Sequence, residues 1–233
     1  MKRSPFIVHC AIAGFIPYLQ SYSLKGLEGI EQNEIQPTLT NKELYSARVF
    51  ERIGELDNIV NALYLAIDFV AEMKNVRGNV PEVYRYHYEN FLLRLTGLVD
   101  RAYRLVGVSL LLDPCKLNNN GAATFVKKEI GSIYPELIKC LSKLDKVSSK
   151  HKPLRNEIAH SNAFSSHELG LFSAIVSLNL EVDDKTKLDK LMNNYFSSGG
   201  AELALIVDKM VAGIEELLEA LAPIYEQIFA GND

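Results

Sequence analysis

The chain has 233 residues, enough for one large domain or two small ones with a buried core. Hydrophobic residues make up 48% and charged residues 23%, the balance of an ordinary globular protein rather than a disordered or membrane-embedded one. A net charge of -4 argues against a protein that coats nucleic acid over its whole surface, which needs a broadly basic field, and leaves room for a local basic strip.

At the N-terminus, Lys2 and Arg3 precede an apolar run from Phe6 to Leu19 that superficially resembles a secretory signal. His9, Gly14 and Pro17 interrupt it and no small-x-small cleavage site follows, so the expectation is a cytoplasmic protein without a membrane span. Residues 1–40, punctuated by Gly and Pro, are expected to wrap the remainder as loops and short turns, and residues 41–233 to form one helical domain. Cys10, Cys115 and Cys140 are odd in number and free of zinc-like spacing, and are read as buried free thiols.

From Asn41 to Asn75, Val49, Ile53, Leu56, Val60, Leu63, Ile67 and Val70 recur at steps of four and three, the stripe of a long helix. Thr40 or Asn41 can cap it, with Glu43 in its first turn, and the Gly78-Asn79-Val80-Pro81 breaker ends it. A second helix starts near Pro81 and carries Tyr84, Tyr88, Phe91, Leu95, Leu98, Ala102 and Leu105 at the same spacing. Tyr84 and Tyr88 therefore read as core, while Tyr86 and His87 face elsewhere. Asp113-Pro114 and Asn118 to Gly121 mark a loop.

Val126, Ile130, Ile133, Leu137, Leu141 and Leu144 predict a third helix with a bend at Pro135. The chain re-enters helix around Pro153, and Leu169 to Leu180 is read as a short helix. Leu203, Val207, Met210, Ile214, Leu217, Leu221, Ile224 and Ile228 predict a final long helix, kinked at Pro223 and preceded by a Ser197 to Gly200 linker. With no strand pattern or repeat, the fold class is all-α, an up-and-down helical bundle.

The sequence holds no glycine-rich phosphate loop, no HExxH, no serine elbow and no EF-hand carboxylates. What remains is Arg155-Asn156-Glu157-Ile158-Ala159-His160, preceded by Lys143, Lys146, Lys150, His151 and Lys152. Asn156 and His160 are four apart and stack on one helical face, where the amide can orient the imidazole. Arg155 lies about 140° round from His160 at 3.6 residues per turn, so one helix aims both at one atom only if Arg155 sits at its start or a second subunit completes the site.

The residue types suit RNA cleavage. Histidine exchanges protons near pH 6.5 and can serve a ribose 2′-hydroxyl or a leaving 5′-oxygen, and arginine offers a fixed fork to a phosphate. On spacing alone, the same three residues also serve to cap and staple a helix start, and the lysines to form a solvated face. His167, seven residues after His160, shares its face if the helix continues.

The Arg155-Asn156-x-x-x-His160 pattern on a late helix of an all-α chain resembles the HEPN motif. The resemblance implies a helical bundle that forms a homodimer with the motif helices facing each other, as in ribonucleases of toxin-antitoxin and abortive-infection systems. It implies Arg155 and His160 as catalytic residues, Asn156 as their support, and no metal or cofactor; Lys146, Lys150 and Lys152 are expected as RNA contacts from their adjacency to Arg155. An antitoxin or a small nucleotidyltransferase is the implied partner. Many such proteins also carry an acidic residue on an earlier helix, for which Glu89 and Asp100 are the candidates. A second reading is a non-catalytic HEPN bundle that serves protein interaction or nucleotide sensing.

Overall fold

A computed structural model describes residues 3–32, 38–119 and 121–231 of the chain. Among them the fold is all-α, a helical bundle without strands. The helices are α1 (Ile16–Glu31), α2 (Asn41–Ala71), α3 (Val80–Ser109), α4 (Pro114–Asn118), α5 (Ala122–Ile130), α6 (Pro135–Ser149), α7 (Lys152–His160), α8 (His167–Ser177) and α9 (Lys185–Ala230). Short 3-10 helices cover Phe6–Val8, Cys10–Phe15 and Met73–Asn75. None of the described helices is long and apolar enough to cross a membrane.

The residues cluster into two compact units. The first comprises Met1–Asn58, Val99–Leu144 and Ala212–Asp233, the second Ile59–Leu98 and Asp145–Val211. In the first unit the α2 stripe is buried at Val49, Ile53 and Leu56, as are Leu105 and Val106 of α3 and Leu217 and Leu221 of α9. Tyr45 donates to the Ser109 carbonyl at 2.9 Å, and the Ser109 and Tyr225 hydroxyls meet at 2.9 Å, so these three buried residues are paired with one another. Thr40 and Glu43 form a capping box at the start of α2: the Glu43 N–H donates to Thr40 Oγ1 at 3.2 Å, and the Thr40 N–H to Glu43 Oε2 at 2.8 Å. Ser21 and Lys25 of α1 reach the same carboxylate, at 2.6 and 2.9 Å.

Five expectations change. Residues 16–31 form a helix and most of residues 6–15 are 3-10 helix, where loops were expected, and the short connection at Asp113 closes into the single turn of α4, capped by Asp113 on the Cys115 N–H at 2.9 Å. Asn120 of the expected loop lies outside the described residues. The stripe from Val126 to Leu144 belongs to two helices rather than one bent one: proline bars the helical conformation from Tyr134 and lacks an N–H, so Pro135 opens α6 instead of bending α5. Cys140 is buried, as expected of a free thiol, but Cys10 and Cys115 are exposed.

The fifth change concerns the second unit. Ser197 to Gly200, expected as a linker, lies inside α9. The two glycines serve close packing here. A Cβ on Gly199 would stand 2.2 Å from the hydroxyl oxygen of buried Tyr84, and one on Gly200 would stand 3.2 Å from Val70 Cγ1. The aromatic core of this unit joins Tyr84, Tyr195 and Phe196, with Phe172 of α8 edge-on to Tyr195 at 5.8 Å. The helix expected across Leu169 is present as α8, capped by Ser166, whose Oγ accepts from the Leu169 N–H at 3.1 Å.

Candidate active site around the α7 helix

The motif forms α7, nine residues long, with Pro153 in its first turn, where a missing N–H costs nothing. Arg155 is already inside the helix, its N–H donating to the His151 carbonyl at 2.9 Å. His160 is the last helical residue; the chain then turns away, with the Ser161 and Asn162 N–H groups both donating to the Glu157 carbonyl, at 2.8 and 3.0 Å. His167 therefore starts α8 and does not continue the face of His160.

No residue of α7 is fully buried. Its half-buried side carries Leu154, Arg155 and Ile158, and its open side Lys152, Asn156 and His160. This split follows the helical period: Asn156 and His160 lie about 40° apart, while Arg155 points about 140° from His160. Among the described residues no hydrogen bond joins Asn156 to His160, and both side chains stand in solvent. Arg155 has its Nε buried with no hydrogen-bond acceptor.

Lys146, on α6, and Lys150, in the turn before α7, are exposed. Lys152 is exposed too, and its ammonium lies 3.4 Å from Asp145. Lys143 is ion-paired with Glu216 within the first unit, which raises its pKa and separates it from the basic run read in the sequence.

The acidic candidates separate cleanly. Asp100 belongs to the first unit and pairs with Arg104 at 2.8 Å, one helical turn away. Glu89 lies in the second unit, and its Oε1 accepts the Phe164 N–H at 2.6 Å, four residues beyond His160. The Phe164 ring stacks on Tyr88, centroids 4.3 Å apart and planes 25° apart. Consecutive residues of α3 thus hold the segment into which the motif helix runs.

His151, at the α7 cap position, is pushed below the usual histidine range by burial, with the Glu202 carboxylate acting in the opposite direction. Burial, then Glu202 and Tyr195, push the Tyr88 phenol up to about 12. Tyr86 is exposed, and His87 stacks on Phe69 at 4.4 Å, its pKa lowered by burial. Sequence reasoning missed the Phe164 anchor and the partial burial of His151. The only signal for the first was an acid next to an aromatic residue on the α3 stripe; nothing in the spacing marked the second.

Among the described residues, no three His, Cys, Asp or Glu side chains converge as metal ligands. An all-α bundle with an exposed late helix carrying Arg155 and His160 is in keeping with the class of HEPN-type helical bundles. The chain belongs to the Cthe2314-like HEPN family, whose model matches residues 33–228 and so takes in all of α7. Comparison with curated proteins and with solved structures gave no match.

Proposed function

We propose that this HEPN chain is a metal-independent endoribonuclease acting as a homodimer, each protomer supplying Arg155 and His160 to one composite site. The observation that carries the reading is the exposure of His160 at the end of a helix with no buried residue. An imidazole in solvent is open both to a substrate and to a second copy of itself. Because Arg155 and His160 diverge by about 140° on one helix, a two-fold axis supplies the approach that a single helix lacks.

In the reaction the ribose 2′-oxygen attacks the adjacent phosphorus while one His160 takes the hydroxyl proton. The bond from phosphorus to the 5′-oxygen breaks, and the His160 of the other protomer gives that oxygen a proton, leaving a 2′,3′-cyclic phosphate and a 5′-hydroxyl. Arg155 donates to the phosphate oxygens as their charge rises. Asn156 supports the site from the same open face as His160, and Lys146, Lys150 and Lys152 meet flanking phosphates. Such an enzyme suits a cytoplasmic toxin or phage-defence effector, restrained by an antitoxin or a nucleotidyltransferase.

The test is His160→Ala. It abolishes cleavage of single-stranded RNA with circular dichroism unchanged, while the parent protein cleaves in EDTA and light scattering returns a dimer. Cleavage that persists in the variant, or a monomer at micromolar concentration, sinks the reading.

One observation favours the second reading, a non-catalytic interaction module: Asn156 and His160 share no hydrogen bond among the described residues, so the imidazole lacks the orienting contact its role would use. A dimer that neither binds nor cleaves RNA at low salt is its mark.

A further inference from the structure

The second unit holds four arginines, Arg77, Arg85, Arg94 and Arg155. Arg77 and Arg94 are exposed, as surface arginines are. Arg85 and Arg155 are half-buried, each with a buried Nε that meets no acceptor, and neither has an ion pair or hydrogen bond among the described residues. Two half-buried arginines within one compact unit, each with its Nε out of solvent and neither ion-paired among the described residues, are positive charges left uncompensated by the protein.

The position of Arg85 ties it to the motif segment. At about 100° per residue, taking Tyr84 as zero, Tyr88 lies near 40° on α3, Glu89 near 140°, and Arg85 near 100°, between them. Tyr88 and Glu89 are the two residues that grip Phe164. Arg85 therefore leaves α3 in the same angular sector, one turn before the point where the chain emerging from His160 crosses the helix.

We infer that Arg85 is a second phosphate-binding residue, which with Arg155 takes the backbone of a single-stranded RNA running past α7. The inference rests on the ribonuclease reading and adds a residue from a different helix. A guanidinium that leaves α3 on the side gripping Phe164 presents planar donors to a phosphate, and its partly buried position makes an arriving anion bind more strongly than it would on a fully exposed side chain. Arg94, near 280°, leaves the opposite side of the same helix and is the internal control.

The experiment uses the full-length chain carrying His160→Ala, so that substrate survives, and follows the fluorescence anisotropy of a labelled single-stranded oligoribonucleotide at several salt concentrations. Arg85→Ala weakens binding at low salt by about tenfold and lowers the slope of log affinity against log salt by about 0.7, the loss of one phosphate contact on a single strand. Arg155→Ala does the same and Arg94→Ala does neither. Arg85→Met, which keeps the length of the stem, gives the same loss if Arg85→Ala fails to fold. Unchanged affinity and slope in the Arg85 variants, beside a loss in Arg155→Ala, overturn the Arg85 assignment and leave the ribonuclease reading standing. A parent protein that binds no RNA at low salt overturns both.

Discussion

Glu89 accepts the Phe164 N–H at 2.6 Å across 75 positions of sequence, so α3 fixes the path of the chain four residues beyond His160. The bond joins a charged acceptor to a backbone donor at a part-buried position, a strong kind of hydrogen bond, and the Tyr88–Phe164 stack closes the other side. Fastened at Phe164, the last turn of α7 has a defined exit. On the ribonuclease reading, Glu89 is in this sense a positioning residue for the imidazole.

Glu89→Ala is expected to lower stability by about 1.5 kcal/mol, the lower end for a charge-assisted bond because the group is only part-buried. It exposes the Phe164 amide to hydrogen exchange. On the ribonuclease reading it also lowers kcat about tenfold with KM little changed, because an ångström of misplacement at the reacting groups is costly. Glu89→Gln keeps an acceptor oxygen and restores both amide protection and most of the rate. Equal losses in both variants would show that charge at the site, not the anchor, is what matters.

The long stripes were legible because a single physical pattern, apolar residues every three or four positions, decides a helix that buries one face: Val49, Ile53, Leu56, Phe91, Leu95 and Leu98 are all fully buried. Gly199 and Gly200 misled because glycine has two opposite uses, breaking a helix and letting another element approach, and only the presence of Tyr84 and Val70 distinguishes them. Pro135 was ambiguous for a similar reason, since a proline bends one helix or starts another. In the motif, the divergence of Arg155 from His160 followed from the helical period alone. The role of Glu89 did not, because a bond to a backbone N–H leaves no trace in the identity of the residue that donates it.

The Gly199 contact gives a stability prediction with a built-in control. Gly199→Ala places a methyl 2.2 Å from the Tyr84 hydroxyl oxygen and 3.2 Å from Cζ, in a core where Tyr84 is 2% exposed. Overpacking outweighs the benefit to helix propensity, for a net loss of about 1–2 kcal/mol. Tyr84→Phe in the same background removes the nearest clashing atom and recovers part of the loss. Gly54→Ala, inside α2 with nothing within 4 Å of the new Cβ, stabilises by about 0.5–1 kcal/mol. Urea denaturation of the four proteins checks the pattern.

Acid stability should depend on Glu43. Its hydrogen bonds from Ser21, Lys25 and Thr40 lower the carboxyl from the ordinary 4.5 to about 2. The unfolded chain takes up the proton first as pH falls, so the contribution of Glu43 is complete above about 4.5 and disappears progressively toward about 2. Glu43→Gln is therefore less stable than the parent at neutral pH, and the gap between them closes between pH 4.5 and pH 2. Thermal unfolding of the pair across that range measures it; a gap that stays constant contradicts the assignment.

The three lysines beside α7 should not contribute equally to RNA affinity, because they do not begin equally free. Lys146 and Lys150 are exposed without a carboxylate partner among the described residues, whereas Lys152 stands 3.4 Å from Asp145. A lysine that must leave a carboxylate to reach a phosphate exchanges one anion for another, and its arrival adds less to binding than that of a lysine coming from open solvent. Lys146→Ala and Lys150→Ala are each expected to lower the slope of log affinity against log salt by about 0.7, and Lys152→Ala by clearly less. Asp145→Asn frees Lys152 and removes a negative charge from the approach, so it raises affinity at low salt, and Lys152→Ala in that background then costs as much as the other two. If Lys152→Ala costs the same with and without Asp145, the ion pair does not compete with the RNA and the lysine reaches the phosphate from its paired position.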